Sequence, residues 1–384
     1  MWLLLAGSSV TRSLSIAVRA LTVAALIATP ASVVSDGTLA RQAAAPYLQQ
    51  IAPDVYVWQR TEPSGLAVYA NNVFIIREND VIVVDTDMRP SITRGIIAQL
   101  KKLTPKPVSH VINTHWHDDH FVGNAAYREA YPGVRFVGHR STSEDLRTLG
   151  APNRKGMIDG IPPMLDQLRK GLAAGQNLAG QPLSAEARAA HEADLIWGEA
   201  YLKEVPAAAV IEPDVLVDQQ LELGTPARPV TVLHAGPAHT RADLIVHLPS
   251  EGLVIAGDVL IHPIPLLGNA NLTGWIAALD RIAGLKPKLL VPGHGPVMRD
   301  LGYLSLTRDF LADLRARVTE QAGRGATLEE TRKAIDLSAW RAKFAGDSTH
   351  RAFIFGFYTA GPGIAAAHAE AVKKTAGPGR WPRP

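Results

Sequence analysis

The sequence predicts a layered α/β fold that carries a metal centre. Three observations lead there. Short apolar runs at 81–84, 253–257 and 289–291 have the length and β-branched content of buried strands. Between them lie helical patterns, as at 92–102, where Ile96, Ile97 and Leu100 share one face. Directly after strand ends come metal-ligand residue types. The densest is Thr114-His115-Trp116-His117-Asp118-Asp119-His120, an H-x-H-x-D-H pattern. Imidazole and carboxylate are the donors that zinc and similar ions take. Packed imidazoles repel when protonated and add little to a core, so such a run has a purpose beyond packing.

Taken in order, the first 35 residues read as a secretory signal. Arg12 and Arg19 precede an apolar run at 20–28, and Pro30-Ala31-Ser32 follows. Cleavage is expected within 28–36, with an exported, periplasmic or secreted product. The apolar run is too short for a membrane span. With no cysteine anywhere, no lipid-modified N-terminal cysteine is available, so no stable membrane anchor is expected. Residues 36–46 are a small-residue lead-in. Segments 51–58 and 66–76 read as the strands of an opening hairpin, with Asn71 and Asn72 at a bend or bulge. The strand 81–84 ends at Asp85. The helix 92–102 has Ser91 as its expected N-cap, and Pro105 and Pro107 stop it. The strand 108–113 then delivers the histidine cluster, and 77–149 makes up a first αβ half.

Residues 150–208 stand apart. Gly156, Gly160, Pro162 and Pro163 punctuate the entry, and helices are expected at 164–172 and 184–205. A structureless loop this long is uncommon in a compact domain, so the segment reads as a helical insertion. In the second half, 210–300, three more strands end in ligand types. The strand 230–234 leads to His239, 253–257 to Asp258, and 289–291 to His294. Gly257, Gly293 and Gly295 allow sharp turns or close approach there. Taken alone, each of these three residues fits an ordinary turn or a hydrogen-bonded histidine. Helices are expected at 303–322, 326–336 and 348–373, and 374–384 reads as a disordered tail.

Composition narrows the function. The chain has 384 residues, 47% hydrophobic and 20% charged, with net charge +3. That is globular material with enough for a core. Without the two leader arginines, 37 basic residues face 36 acidic ones, which argues against a nucleic-acid partner. A small-molecule substrate is expected. No G-x-S-x-G motif points to a serine nucleophile.

In order along the chain, Asp85, the His115/His117/Asp119/His120 cluster, His239, Asp258 and His294 resemble the motifs of the metallo-β-lactamase superfamily. The resemblance covers roughly 47–311, with the insertion at 150–208, and leaves 312–373 as a C-terminal helical extension. It implies a four-layer αββα sandwich with the metals at one edge. It also implies that His115, His117 and His239 hold a first metal ion. Asp119, His120 and His294 would hold a second, Asp258 would bridge both, and Asp85 would orient a ligand histidine. Zinc is the expected ion, although iron or manganese can occupy similar sites. Asp119 would also orient the attacking hydroxide and pass a proton to the leaving group.

The second half is most similar to secreted β-lactamases, through 238–246 and through Gly268-Asn269 followed by Trp275. Asn269 is therefore a candidate substrate contact; Trp116, beside the histidines, and His262, four residues after Asp258 and flanked by Pro263 and Pro265, are two more. Two departures stand out. Asp258 stands where those enzymes usually carry Cys or Ser, and Ile261 stands where some carry a drug-binding Lys. An Asp bridge beside His120 resembles glyoxalase II-type thioesterases and lactonases instead. The expectation is an exported two-metal hydrolase of a small cyclic amide, lactone or ester. The alternatives are a glyoxalase II-like thioester hydrolase, a non-catalytic metal-binding scaffold, or a two-iron redox protein.

Overall fold

The computed structural model describes residues 47–59, 69–177 and 180–372. The leader, its cleavage region and the tail at 374–384 lie outside them. The described residues form two β-sheets. The first has seven strands in sequence order. They are β1 (Tyr47–Ala52), β2 (Val55–Gln59), β3 (Asn72–Ile76), β4 (Val81–Val84), β5 (Val108–Ile112), β6 (Arg135–His139) and β7 (Val215–Val217). Pairing is antiparallel from β1 to β4 and parallel from β4 to β7. The second sheet runs β12-β11-β10-β9-β8. Its strands are β8 (Gln220–Glu222), β9 (Thr231–His234), β10 (Leu244–Leu248), β11 (Leu253–Ile261) and β12 (Leu289–His294).

Strand periodicity explains the layers. In β4, Ile82 and Val84 face the second sheet, where they meet residues such as Val232, Val246 and Ile255. Val81 and Val83 face the other way, onto Ile96 and Leu100 of the helix Pro90–Leu103. Both faces are therefore apolar, which is why the run shows no polar alternation. The second sheet does the same, packing Val254 and Leu290 against Trp275 and Leu279 of the helix Leu272–Gly284. The result is helix, sheet, sheet, helix, a four-layer sandwich. Each fully buried Val, Ile or Leu contributes on the order of 2 kcal/mol.

Several elements depart from expectation. The opening segment is itself a hairpin, because Asp54 adopts a left-handed φ of 56° between β1 and β2. Of the strand expected at 66–76, residues 66–68 lie outside the described residues, and among the rest the strand is Asn72–Ile76. Asn71 is no bulge; its backbone N–H donates to the Gly293 carbonyl at 2.7 Å. Pro90, not Ser91, opens the next helix, and the Ser91 hydroxyl donates to Glu204 of the insertion at 2.8 Å.

In the insertion, one helix, Ala151–Ala174, runs through the glycines and prolines that read as punctuation. Its missing N–H donors cost about 3 kcal/mol per interior proline. Packing of Ile161, Leu165 and Leu168 against Trp197 and Tyr201 of the second helix, Ala185–Glu204, offsets that cost. Gly198 permits the contact, since a Cβ there would lie 2.7 Å from Leu165 Cδ2. The boundary expected at 311/312 falls inside one helix, Gly302–Gly323. Phe310 and Leu314 of that helix share a core with the second sheet, and so does Ile364 further on. A helix at Ser338–Ala345 was not anticipated. The expected helix at 348–373 is Thr349–Phe355 and Gly361–Ala371, joined by a wider turn at Gly356–Ala360.

Candidate metal centre

All seven candidate ligand residues gather at one edge of the sandwich, after strand ends, at a last strand residue or, for Asp258, inside a strand that runs on to Ile261 rather than ending at 257. The loop after β5 carries His115, His117, Asp119 and His120. It is joined to the second sheet where the Leu244 N–H donates to the Thr114 carbonyl at 2.8 Å. His239 follows β9, Asp258 lies within β11, and His294 ends β12. Close backbone approach makes this possible. A Cβ on Gly293 would sit 2.0 Å from Asp258 Oδ1, and one on Gly257 would sit 2.7 Å from Thr114 Cβ.

Two ligand groups result, His115/His117/His239/Asp258 and Asp119/His120/His294, and within each group the donor atoms lie within 4.8 Å of one another. In the first, His117 Nδ1 is 3.0 Å from both His115 Nε2 and His239 Nε2. In the second, Asp119 Oδ2 is 3.3 Å from His120 Nε2 and 3.2 Å from His294 Nε2. Asp258 faces both groups. Its Oδ2 lies 3.4 Å from His239 Nε2, and its Oδ1 lies 3.3 Å from His120 Nε2 and from His294 Nε2.

Protons alone do not satisfy this arrangement. Asp258 Oδ1 is buried without a hydrogen-bond partner. His117 Nδ1 faces two ring nitrogens at once, His115 Nε2 and His239 Nε2, each at 3.0 Å. Burial and the neighbouring imidazoles hold His115 well below the usual imidazole range, and burial with His239 brings His117 down to about 3. Asp119 stays well below the carboxylate range although burial opposes it, because His120 and His294 face it. His120 goes the other way: although burial opposes it, Asp119, Asp258 and Asp85 hold it well above the usual imidazole range, so without a metal a proton supplies the positive charge that a divalent cation would bring to these ionised carboxylates.

The far sides of the rings are braced. Asp85 Oδ2 accepts from His120 Nδ1 at 2.8 Å, and the Thr114 N–H and hydroxyl donate to the same carboxylate. His239 Nδ1 donates to the Leu266 carbonyl at 3.0 Å, and His294 Nδ1 donates to the Tyr69 carbonyl at 2.9 Å. A carbonyl only accepts, so these contacts fix both tautomers and turn each Nε2 lone pair inward.

The three candidate substrate contacts sit as follows. The Asn269 amide lies 3.3 Å from His117 Nε2, beside a ligand. Trp116 is not an open contact. It is 2% exposed, its ring meets His117 edge-on, and it packs with Phe121 and Leu146. The His262 ring packs edge-on against Tyr303 and lies close to Gly295, behind the His294 turn. Burial brings its pKa down to about 4.

Sequence reasoning missed several braces. The His120 carbonyl accepts from Thr86 N–H at 3.1 Å and from Asn113 Nδ2 at 2.9 Å. Asn71 Nδ2 and Gln59 Nε2 both donate to the Gly295 carbonyl. Asp118 is gripped by Arg154 and Tyr201 of the insertion. Nothing in the local sequence marked that last contact, whose partners lie 36 and 83 residues away.

The family model described as the metallo-β-lactamase superfamily matches residues 66–294. The chain belongs to this superfamily. A linear primary-alkylsulfatase from a Pseudomonas species is 24% identical over 272 residues, which is 67% of this chain and 48% of that protein. The solved structure of a stereoselective inverting sec-alkylsulfatase from Pseudomonas superposes with a TM-score of 0.59 at 16% identity, covering 85% of this chain and 50% of that one. A metallo-β-lactamase from Pontibacter korlensis gives a TM-score of 0.47 at 18% identity, over 70% of this chain and 99% of that one. The chain thus spans about half the length of the alkylsulfatases it matches.

Proposed function

We propose that the protein is a two-metal hydrolase that cleaves an ester bond in a small substrate. One observation carries this reading: Asp258 offers one carboxylate oxygen to each ligand group. His115, His117 and His239 would hold one ion, and Asp119, His120 and His294 the other. All donors are nitrogen or oxygen, which suits zinc first and accommodates iron or manganese. Two divalent ions supply an acidified water and draw charge from the bond being broken.

The chain's own groups do the rest. Asp119 directs Oδ2 at His120 and His294, which leaves Oδ1 to orient the water and to take up its proton. The same atom can return that proton to the departing oxygen. His117 is steadied by Asn269. A cleft of about 360 Å³ opens on the far side of Phe121, lined by Phe121, Leu146 and Ile158 together with Arg154, Lys155 and Asp159; none of the seven ligand residues lines it.

Similarity to two alkylsulfatases puts alkyl sulfate esters first among substrate classes. Cyclic amides and lactones come second, since Ile261 provides no cation for a drug carboxylate. Thioesters follow from the Asp258 bridge, which resembles glyoxalase II-type enzymes. Export is proposed from the leader alone; sequencing the N-terminus of the protein from fractionated cells tests it. The function is tested by assaying metal-loaded protein on an alkyl sulfate, a lactone, a lactam and a thioester, with and without chelator. Turnover on an ester, lost to chelator and restored by zinc, is expected. No turnover on any of the four would leave a metal-binding scaffold.

A further inference from the structure

The metal motif turns on a helix of four residues, Asp118–Phe121, with His117 at its N-cap position. A helix this short cannot hold itself in water. Its orientation decides where Asp119 and His120 stand relative to His115 and His117. Two sets of contacts fix it. One belongs to the sandwich: Thr86 and Asn113 hold the His120 carbonyl. The other comes from the insertion. Arg154, on the first insertion helix, grips Asp118 with Nε at 3.0 Å from Oδ2 and Nη2 at 2.8 Å from Oδ1. Tyr201, on the second, donates its hydroxyl to Oδ2 at 3.2 Å. Asp118 is 4% exposed, so its charge has no solvent to fall back on. The guanidinium also lies over the Phe121 ring, at the other end of the same short helix.

We propose that Arg154 and Tyr201 are positioning residues for the metal centre. Acting through Asp118, they lock the rotation of the 118–121 helix. This lock sets Asp119 and His120 of one ligand group against His115 and His117 of the other. The insertion is then a working part of the metal site, not an added layer. Neither residue belongs to a ligand group, and both reach the site only through Asp118. A planar fork holds both carboxylate oxygens and so resists rotation, which a point charge cannot do. Arg154→Lys therefore keeps the charge and removes the lock.

The inference rests on the reading that these groups bind metal. Its test reads metal binding, so a wrong substrate class leaves it standing, and its failure leaves the hydrolase reading standing. Zinc affinity is measured by chelator competition, and the visible spectrum is recorded on cobalt-loaded protein, for wild type, Arg154→Lys and Tyr201→Phe. Near-ultraviolet circular dichroism and thermal melting report folding. Arg154→Lys is expected to bind at least one ion about 10–100-fold more weakly, with a changed cobalt spectrum. Where substrate is turned over, kcat should fall more than KM rises. Tyr201→Phe keeps the ring and loses one hydrogen bond, so a smaller loss of about 2–5-fold is expected. It carries the test if Arg154→Lys fails to fold. Wild-type affinity and spectrum in the folded variants would overturn the proposal.

Discussion

The loop after β5 delivers His115, His117, Asp119 and His120 within six residues, whereas β9, β11 and β12 lead to one ligand each. The two sources are stabilised differently. The loop depends on side chains brought from elsewhere: Asp85 behind His120, Asn113 on its carbonyl, and Arg154 and Tyr201 on Asp118. The strand-borne histidines lean on backbone carbonyls, Leu266 behind His239 and Tyr69 behind His294. Point substitution removes a side chain but not a carbonyl. The loop should therefore be sensitive to lost groups. The strand ends should be sensitive to added bulk, because glycines let them approach.

The largest effect is expected where the two sources meet. Asp258 serves both sources, so Asp258→Ala should lower activity by about 1,000-fold or more and leave fewer bound ions, read by metal analysis. Gly293→Ala should act on the strand side. Its new Cβ meets Asp258 Oδ1 at 2.0 Å and the Gly257 carbonyl carbon at 2.8 Å. Backbone cannot yield as a side chain does, so a loss of about 3 kcal/mol or more is expected in denaturant melts. Wild-type stability in that variant would break the contrast. On the loop side, Asp85→Ala should cost about 10–100-fold in metal affinity, with less effect on folding than Gly293→Ala. Asn269→Ala should be milder, a change of about 10-fold or less in kcat, because one hydrogen bond to His117 is lost.

The smallest effect concerns the junction of the sheets. The His139 ring of β6 stacks on His234 of β9 at 3.9 Å. Burial and His234 bring His139 down to about 4. The folded state therefore binds this proton less readily than the unfolded chain, whose histidine titrates near 6.5. The stabilisation is complete above about pH 6.5 and is lost as pH falls toward about 4. The melting temperature should drop across that window, and His139→Gln should flatten the slope.

Much of this was legible in the sequence. The histidine cluster stood out because its ligands are contiguous, and the apolar runs because both of their faces are buried. His239, Asp258 and His294 became readable only as a set in order, since each alone fits a turn. What stayed hidden depends on contacts between distant positions. Pro162 and Pro163 read as a break because local propensity disfavours them, yet packing on Trp197 and Tyr201 carries the helix through. Ser91 read as a cap, but Pro90 opens the helix and Ser91 turns to Glu204. Trp116 and His262 looked like contacts because they neighbour ligands in sequence. Their rings instead pack on Leu146 and Tyr303, a choice that tertiary packing makes. The grip on Asp118 has no local signature at all.

The proposed dinuclear site depends on one carboxylate that joins two ligand groups. It is tested most directly by titrating metal-free protein with zinc and counting the bound ions per chain, alongside Asp258→Asn. Two ions are expected in the wild type, with weakened binding of both in the variant. A single ion in the wild type, or two ions held equally tightly without the Asp258 carboxylate, would contradict it.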